Sequence, residues 1–138
     1  MVIEMPRCDF KCDKECGSQV CQNSDLACQP DIKVDAIKIM KQYVSNPITE
    51  AIVFQGLEPF YDEDLLLWIN LIRSYTHDDI VIYTGFNKEE IEPYLTALKK
   101  YDNIIIKYGR FIPNQESHYD PILQVKLASP NQYAERFS

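Results

Sequence analysis

Five cysteines, Cys8, Cys12, Cys16, Cys21 and Cys28, fall within the first fifth of a 138-residue chain, and none follows. A disulfide framework would show an even count, spread so as to staple the fold, behind an export signal. Five clustered thiols in a polar stretch point instead to metal or cluster ligands in a reducing compartment. Thiolates three or four residues apart, as in Cys8-x3-Cys12, can wrap a tetrahedral ion or an iron–sulfur cube. The competing reading is a set of idle cysteines, which are usually buried and scattered rather than packed into one loop. Zinc favours four thiolates arranged in close Cys-x2-Cys pairs, and no such pair exists here.

Composition narrows the remaining classes. The net charge is −7, with 46% hydrophobic and 25% charged residues, values of an ordinary globular chain rather than a disordered one. Such a length suits one domain over 1–138 and falls short of a closed eight-fold βα barrel, which needs roughly 250 residues. No apolar run approaches a membrane span, and the opening residues lack the core of an export signal, so the expected location is cytoplasmic. An acidic chain without a Lys/Arg block is a poor nucleic-acid binder.

The elements that must carry the thiols alternate between two periods. Met1 to Met5 is a short apolar opening stopped by Pro6, and Arg7 to Pro30 reads as a long functional loop. Asp31 can cap a helix with a stripe of Val34, Ile37, Met40 and Val44, closed by Asn46-Pro47. Ala51 to Gln55 is a buried strand ended by Gly56. Asp62, Glu63 and Asp64 then precede a helix carrying Leu65, Trp68, Ile69 and Ile72. Asp79 to Thr84 is the next strand, broken by Gly85. Asn87 and Glu90 have capping-box spacing ahead of Ile91, Tyr94, Leu95 and Leu98, with a kink or restart expected at Pro93. Asn103 to Tyr108 is a strand ended by Gly109, Phe111 to Pro121 is a loop, and Leu123 to Ala128 is a last, half-covered strand. The alternation predicts an α/β fold with a mostly parallel sheet of about five strands and right-handed crossovers. Ligands bind such sheets outside the carboxyl ends of the strands, where the cysteine loop and the three glycine turns also fall.

Those motifs, taken in order, resemble the radical S-adenosylmethionine superfamily, and within it the small activating enzyme of anaerobic ribonucleotide reductase. Cys8, Cys12 and Cys21-Gln22-Asn23 look like its three cluster cysteines, the third commonly followed one residue later by Asn. Gly56-Leu57-Glu58-Pro59 is similar to its Gly-Gly-Glu-Pro, Thr84-Gly85-Phe86 to its Thr-Gly-Tyr, and Gly109-Arg110-Phe111 to its Asp-Gly-x-Phe. Ala128-Ser129-Pro130-Asn131-Gln132 is similar to its Gly-Ser-Ser-Asn-Gln. The chain departs from the pattern in three places. Eight residues separate Cys12 from Cys21 where the family has two, Leu57 replaces a glycine, and Lys107-Tyr108 stands where the family places an Asp before Gly109.

The resemblance implies a partial open βα barrel holding a 4Fe-4S cluster on three thiolates. The fourth iron would bind S-adenosylmethionine, whose reductive cleavage yields a 5′-deoxyadenosyl radical. It implies a glycyl-radical protein as partner and a flavodoxin- or ferredoxin-type electron donor. Gly56 would admit the cofactor closely, Glu58 would orient its ammonium, and Thr84 and Asn131 would touch its ribose or carboxylate. Plain turn geometry for the glycines, and a capping or solvated carboxylate for Glu58, are the competing readings. Spacing alone makes Cys16 the third ligand, while the x-Asn context makes it Cys21, with Asp13 to Val20 as an insertion. Cys28 has no assigned role. The rival function is a non-catalytic zinc or iron–sulfur interaction module. His77 and His118 read as surface histidines and Trp68 as core. The nine tyrosines read as packing residues and Lys99-Lys100 as a helix-end pair, none with a catalytic role.

Overall fold

The branched apolar runs of the sequence become the centre of a five-stranded sheet in a computed structural model covering residues 1–138. Strands β1 (Val2–Met5), β2 (Ala51–Gly56), β3 (Asp79–Tyr83) and β4 (Ile104–Tyr108) lie side by side in chain order and run parallel. Their alternating residues serve two layers. Ile52, Phe54, Ile80, Ile82, Ile104 and Ile106 face the crossover helices α2 (Ala36–Ser45), α3 (Leu65–Arg73) and α4 (Glu92–Leu98), all three on one side. Val81 and Ile105 face the other way. Sequential strand order with every helix on one face is a singly wound sheet, because right-handed crossovers repeat without reversing. Leu65, Ile69 and Ile72 of α3 are almost fully buried, each stabilising the fold by about 1.5–3 kcal/mol. No helix is long and apolar enough to cross a membrane.

Several expectations change here. Helix α2 starts at Ala36, capped by Asp35, which accepts the Lys38 N–H at 3.1 Å; Asp31 lies outside it. Its inward face is Met40 and Tyr43, whereas Ile37 and Val44, and Val34 ahead of the helix, are 51–52% exposed. Tyr43 can occupy the buried position because its hydroxyl donates to Asp78 at 2.6 Å, which satisfies the polar tip. Trp68 is half-buried rather than core, beside a groove of about 1270 Å³ over β1 lined also by Ile3, Ile39 and Leu67. The Arg7–Pro30 loop contains a short helix α1 (Lys11–Cys16) and a 3-10 turn at Ser24–Cys28.

The C-terminal third departs most. Strand β5 (His118–Asp120) forms inside the expected loop, and the expected last strand shortens to β6 (Val125–Leu127), its antiparallel partner in a separate hairpin. The fifth strand of the sheet is β7 (Tyr133–Arg136), antiparallel to β4. One buried carboxylate explains the arrangement. Asp120 accepts the N–H groups of Ile122 and Leu123 within the hairpin and of Ala134 in β7. Leu123 thereby packs on Val81, Ile105 and Ala134, covering part of the helix-free face. The expected restart at Pro93 is present: a capping box of Asn87 and Glu90 opens a 3-10 turn at Lys88–Ile91, and α4 begins afresh at Glu92 with Pro93 in its first turn.

Candidate functional site

The carboxyl ends of β1 to β4 gather the separate motifs into one hydrogen-bonded belt. The Leu57 N–H donates to Met5 and the Glu58 N–H to Arg7, tying the end of β2 to the start of the cysteine loop. Asn23 Nδ2 donates to the Gly56 carbonyl at 2.8 Å, anchoring the far end of that loop. Further round, the Gly109 N–H donates to Phe86, and Asn131 Nδ2 donates to the Arg110 carbonyl at 2.9 Å. Gly56 and Gly109 adopt φ of +93° and +96°, open to glycine at little cost. At Gly109 a Cβ would lie 2.6 Å from the Asn131 carbonyl oxygen, so backbone packs on backbone.

Glu58 is the hub. It is 5% exposed, and its two oxygens are occupied: Oε1 accepts the Thr84 hydroxyl at 2.7 Å and the Phe60 N–H, and Oε2 accepts the Gly85 N–H at 2.8 Å. Burial raises its pKa above the ordinary carboxylate value, and the three hydrogen bonds oppose that rise. Thr84 is likewise spent, giving its proton to Glu58 and accepting the Phe86 N–H. Both side chains hold the ends of β2 and β3 together; Asn131 braces the turn after β4 and is itself exposed.

The cysteines divide by surroundings. Cys8, Cys12 and Cys21 are half-buried, whereas Cys16 and Cys28 are exposed. The insertion is closed by Asp13, which accepts the N–H groups of both Val20 and Cys21 at 2.8 Å and so folds Cys21 back toward Cys12. Cys12 lies within electrostatic reach of both Cys8 and Cys21. A side chain on Gly85 would meet Cys12 Sγ at 3.8 Å and Glu58 Oε2 at 3.6 Å, which puts this thiol beside the hub. Burial pushes the Cys8 thiol up to about 11 and raises Cys12 too, while the N–H groups of Phe10 and Phe111 respectively pull them back. Such thiols keep their protons until a cation displaces them. No three donors among His, Cys, Asp and Glu converge on one point as a single ion requires.

Three charged residues that the sequence reading left without a role complete the surroundings. Lys107 projects from the helix-free face of β4, is 8% exposed, and donates to the Gly109 carbonyl at 3.0 Å. Burial draws its pKa down to about 8 against the opposing charges of Glu58 and Cys12. Arg110, also buried, forks onto Glu90, with Nη1 to Oε2 at 2.8 Å, and its Nε lies 3.3 Å from Glu15 of α1 without hydrogen-bond alignment. Lys11, one residue before Cys12, reaches the same Glu90 at 3.1 Å. These contacts clamp α1 onto the sheet. A lysine inside the run Ile104–Tyr108 was the available signal for Lys107; Glu90 was marked only as a capping residue, and nothing local marked Asp13 as the anchor of Cys21. His77 is an exposed partner of Asp102 at 2.8 Å, but His118 is half-buried with Nδ1 unpartnered, unlike the surface residue expected.

In donor chemistry the residues fit a cluster: three thiols in half-buried positions, beside backbone N–H groups able to hydrogen-bond sulfur. Comparison of the chain with protein-family models, curated proteins and solved structures gave no match to any of them.

Proposed function

We propose that this chain is a radical S-adenosylmethionine protein of the glycyl-radical activase kind. In this reading Cys8, Cys12 and Cys21 hold a 4Fe-4S cluster at the mouth of a partial, open βα barrel. The observation that carries it is the belt itself. Five motifs of the family pattern, dispersed from Cys8 to Gln132, meet at one end of one sheet through hydrogen bonds made by the motif residues. Parallel connectivity alone brings these turns to one end; the support lies in the motif side chains bonding one another there, Asn23 to Gly56, Glu58 to Thr84 and Gly85, and Asn131 to Arg110.

When bound, the cluster would supply the electron that cleaves a carbon–sulfur bond of S-adenosylmethionine. The chain's own residues would do the rest. Glu58 and Thr84 would fix the strand ends so that the Gly56 edge accepts the methionine ammonium, Glu58 adding negative charge beneath it. Gly56 and Gly85 would let a ligand approach the backbone. Asn131 would offer its free amide oxygen to the ribose or carboxylate. An open mouth suits a protein substrate, since a glycine-bearing loop of the partner must reach the cofactor. A flavodoxin- or ferredoxin-type donor in the cytoplasm would deliver the electron.

Cluster binding without the radical step is the second reading. One observation favours it: Leu57 is 7% exposed, filling a position that the family leaves to glycine. A zinc interaction module fares less well, because structural zinc favours four thiolates in close Cys-x2-Cys pairs and the sequence has no such pair.

Anaerobic reconstitution followed by electron paramagnetic resonance, with and without S-adenosylmethionine, tests the reading. A reduced-cluster signal that changes on adding S-adenosylmethionine is expected. A signal that ignores it supports the second reading, and preferential zinc uptake rejects both. In the same assay Cys21→Ala should lose the cluster while Cys16→Ala keeps it.

A further inference from the structure

Lys107 is a buried ammonium at the carboxyl end of β4. It forms no ion pair, and its single hydrogen bond goes to the Gly109 carbonyl at 3.0 Å. That carbonyl already accepts Gln132 Nε2 at 3.3 Å, so a cation is not needed to satisfy it. Glu58 lends Lys107 negative charge through space but makes no contact with it, its oxygens being bonded to Thr84, Phe60 and Gly85. The other nearby ionisable group is the Cys12 thiol. Across the sheet, the register neighbours of Lys107 are Tyr83 and Ala134, which bring no countercharge. The ammonium sits at the Gly109 turn, whose N–H donates to Phe86, and the adjoining Gly85 is the residue that Cys12 Sγ lies against, so negative charge gathered on the thiols would act on this buried cation.

We propose that Lys107 is the electrostatic partner of the anionic centre held by Cys8, Cys12 and Cys21, a positioning residue whose charge raises that centre's midpoint potential. The inference rests on the cluster reading above. Reduction adds one electron and makes the centre more negative; a fixed positive charge nearby stabilises that reduced state. Removing the charge should therefore make the couple harder to reduce, while the thiolate ligands remain in place.

The test reconstitutes wild type, Lys107→Gln and Lys107→Arg anaerobically and titrates each with dithionite under electron paramagnetic resonance. Iron and sulfide are counted per chain. Lys107→Gln keeps a donor for the Gly109 carbonyl but loses the charge. The expected result is unchanged iron with at least a tenfold lower ratio of reduced to oxidised cluster at a fixed potential. For one electron this equals a shift of about 59 mV to more negative values. Lys107→Arg should stay near wild type. Equal midpoints in wild type and Lys107→Gln, with clusters intact, overturn the inference and leave the cluster reading standing. If Lys107→Gln takes up no iron but Lys107→Arg does, the charge is needed for assembly, which supports the inference. Loss from both means that the shape of lysine matters rather than its charge, and overturns it. A wild-type chain that binds no cluster rejects the cluster reading, and this inference with it.

Discussion

Replacing Glu90 by Gln should loosen the clamp on the cysteine helix by an amount that depends on pH. Glu90 receives the Arg110 fork, the Lys11 ammonium and the Asn87 N–H, which together hold its carboxyl near pH 2. A carboxyl held at about 2 rather than 4.5 contributes about 3 kcal/mol at neutral pH. The side chain is 29% exposed, so solvent screening reduces this to about 2 kcal/mol. Because the folded pKa lies below the unfolded one, this stability is fully present above about 4.5 and is lost as pH falls toward about 2. Urea denaturation of the metal-free, thiol-reduced chain should therefore show wild type more stable than Glu90→Gln by about 2 kcal/mol at pH 7, with the gap closing by pH 2.5. Since Lys11 and Glu15 flank Cys12, the variant should also alkylate faster at Cys12, as mapped by mass spectrometry. A gap below about 0.5 kcal/mol at pH 7, or one that persists unchanged in acid, would refute the reasoning.

Other perturbations follow the same geometry. Glu58→Gln replaces a charge-assisted acceptor by a neutral amide, a loss on the order of 1.5–3 kcal/mol; S-adenosylmethionine binding by the reconstituted protein should weaken more than tenfold, with iron content unchanged. An unaltered dissociation constant would make Glu58 purely structural. Asp13→Ala frees the Val20 and Cys21 N–H groups, so iron uptake should become weaker although all five thiols remain, and uptake equal to wild type would remove Asp13 from the site. Gly109→Ala meets both a positive φ and the Asn131 carbonyl. It should lower the unfolding free energy by at least about 2 kcal/mol, and an unshifted urea midpoint would contradict the close packing.

Local signals sufficed wherever one segment decides its own fate. The runs at Ala51, Asp79 and Asn103 became β2, β3 and β4 because branched apolar residues bounded by turn residues have few other stable conformations. The Asn87–Glu90 box and the Pro93 restart were legible for the same reason: their bonding partners lie within one turn. The gathering of glycine turns and cysteine loop at one sheet end followed from parallel connectivity alone.

What only the tertiary structure decided is which surfaces are covered, since coverage depends on distant residues. Helix α2 carries apolar residues on more than one side, and the sheet buried Met40 and Tyr43 while leaving Ile37 and Val44 outside. Strand β7 joined the sheet because Asp120 binds Ala134 across the chain, a bond that no period encodes. Sequence spacing favoured Cys16 and context Cys21; Asp13 turned the insertion so that Cys21 lies half-buried and Cys16 faces solvent. Lys107 reads in sequence as one charge in an apolar strand. It is enclosed near the end of β4, beside the Cys12 thiol and the Glu58 carboxylate, both of which come from earlier turns of the same sheet. Periodicity reports the conformation of a segment; burial and charge are set by whatever the rest of the chain brings against it.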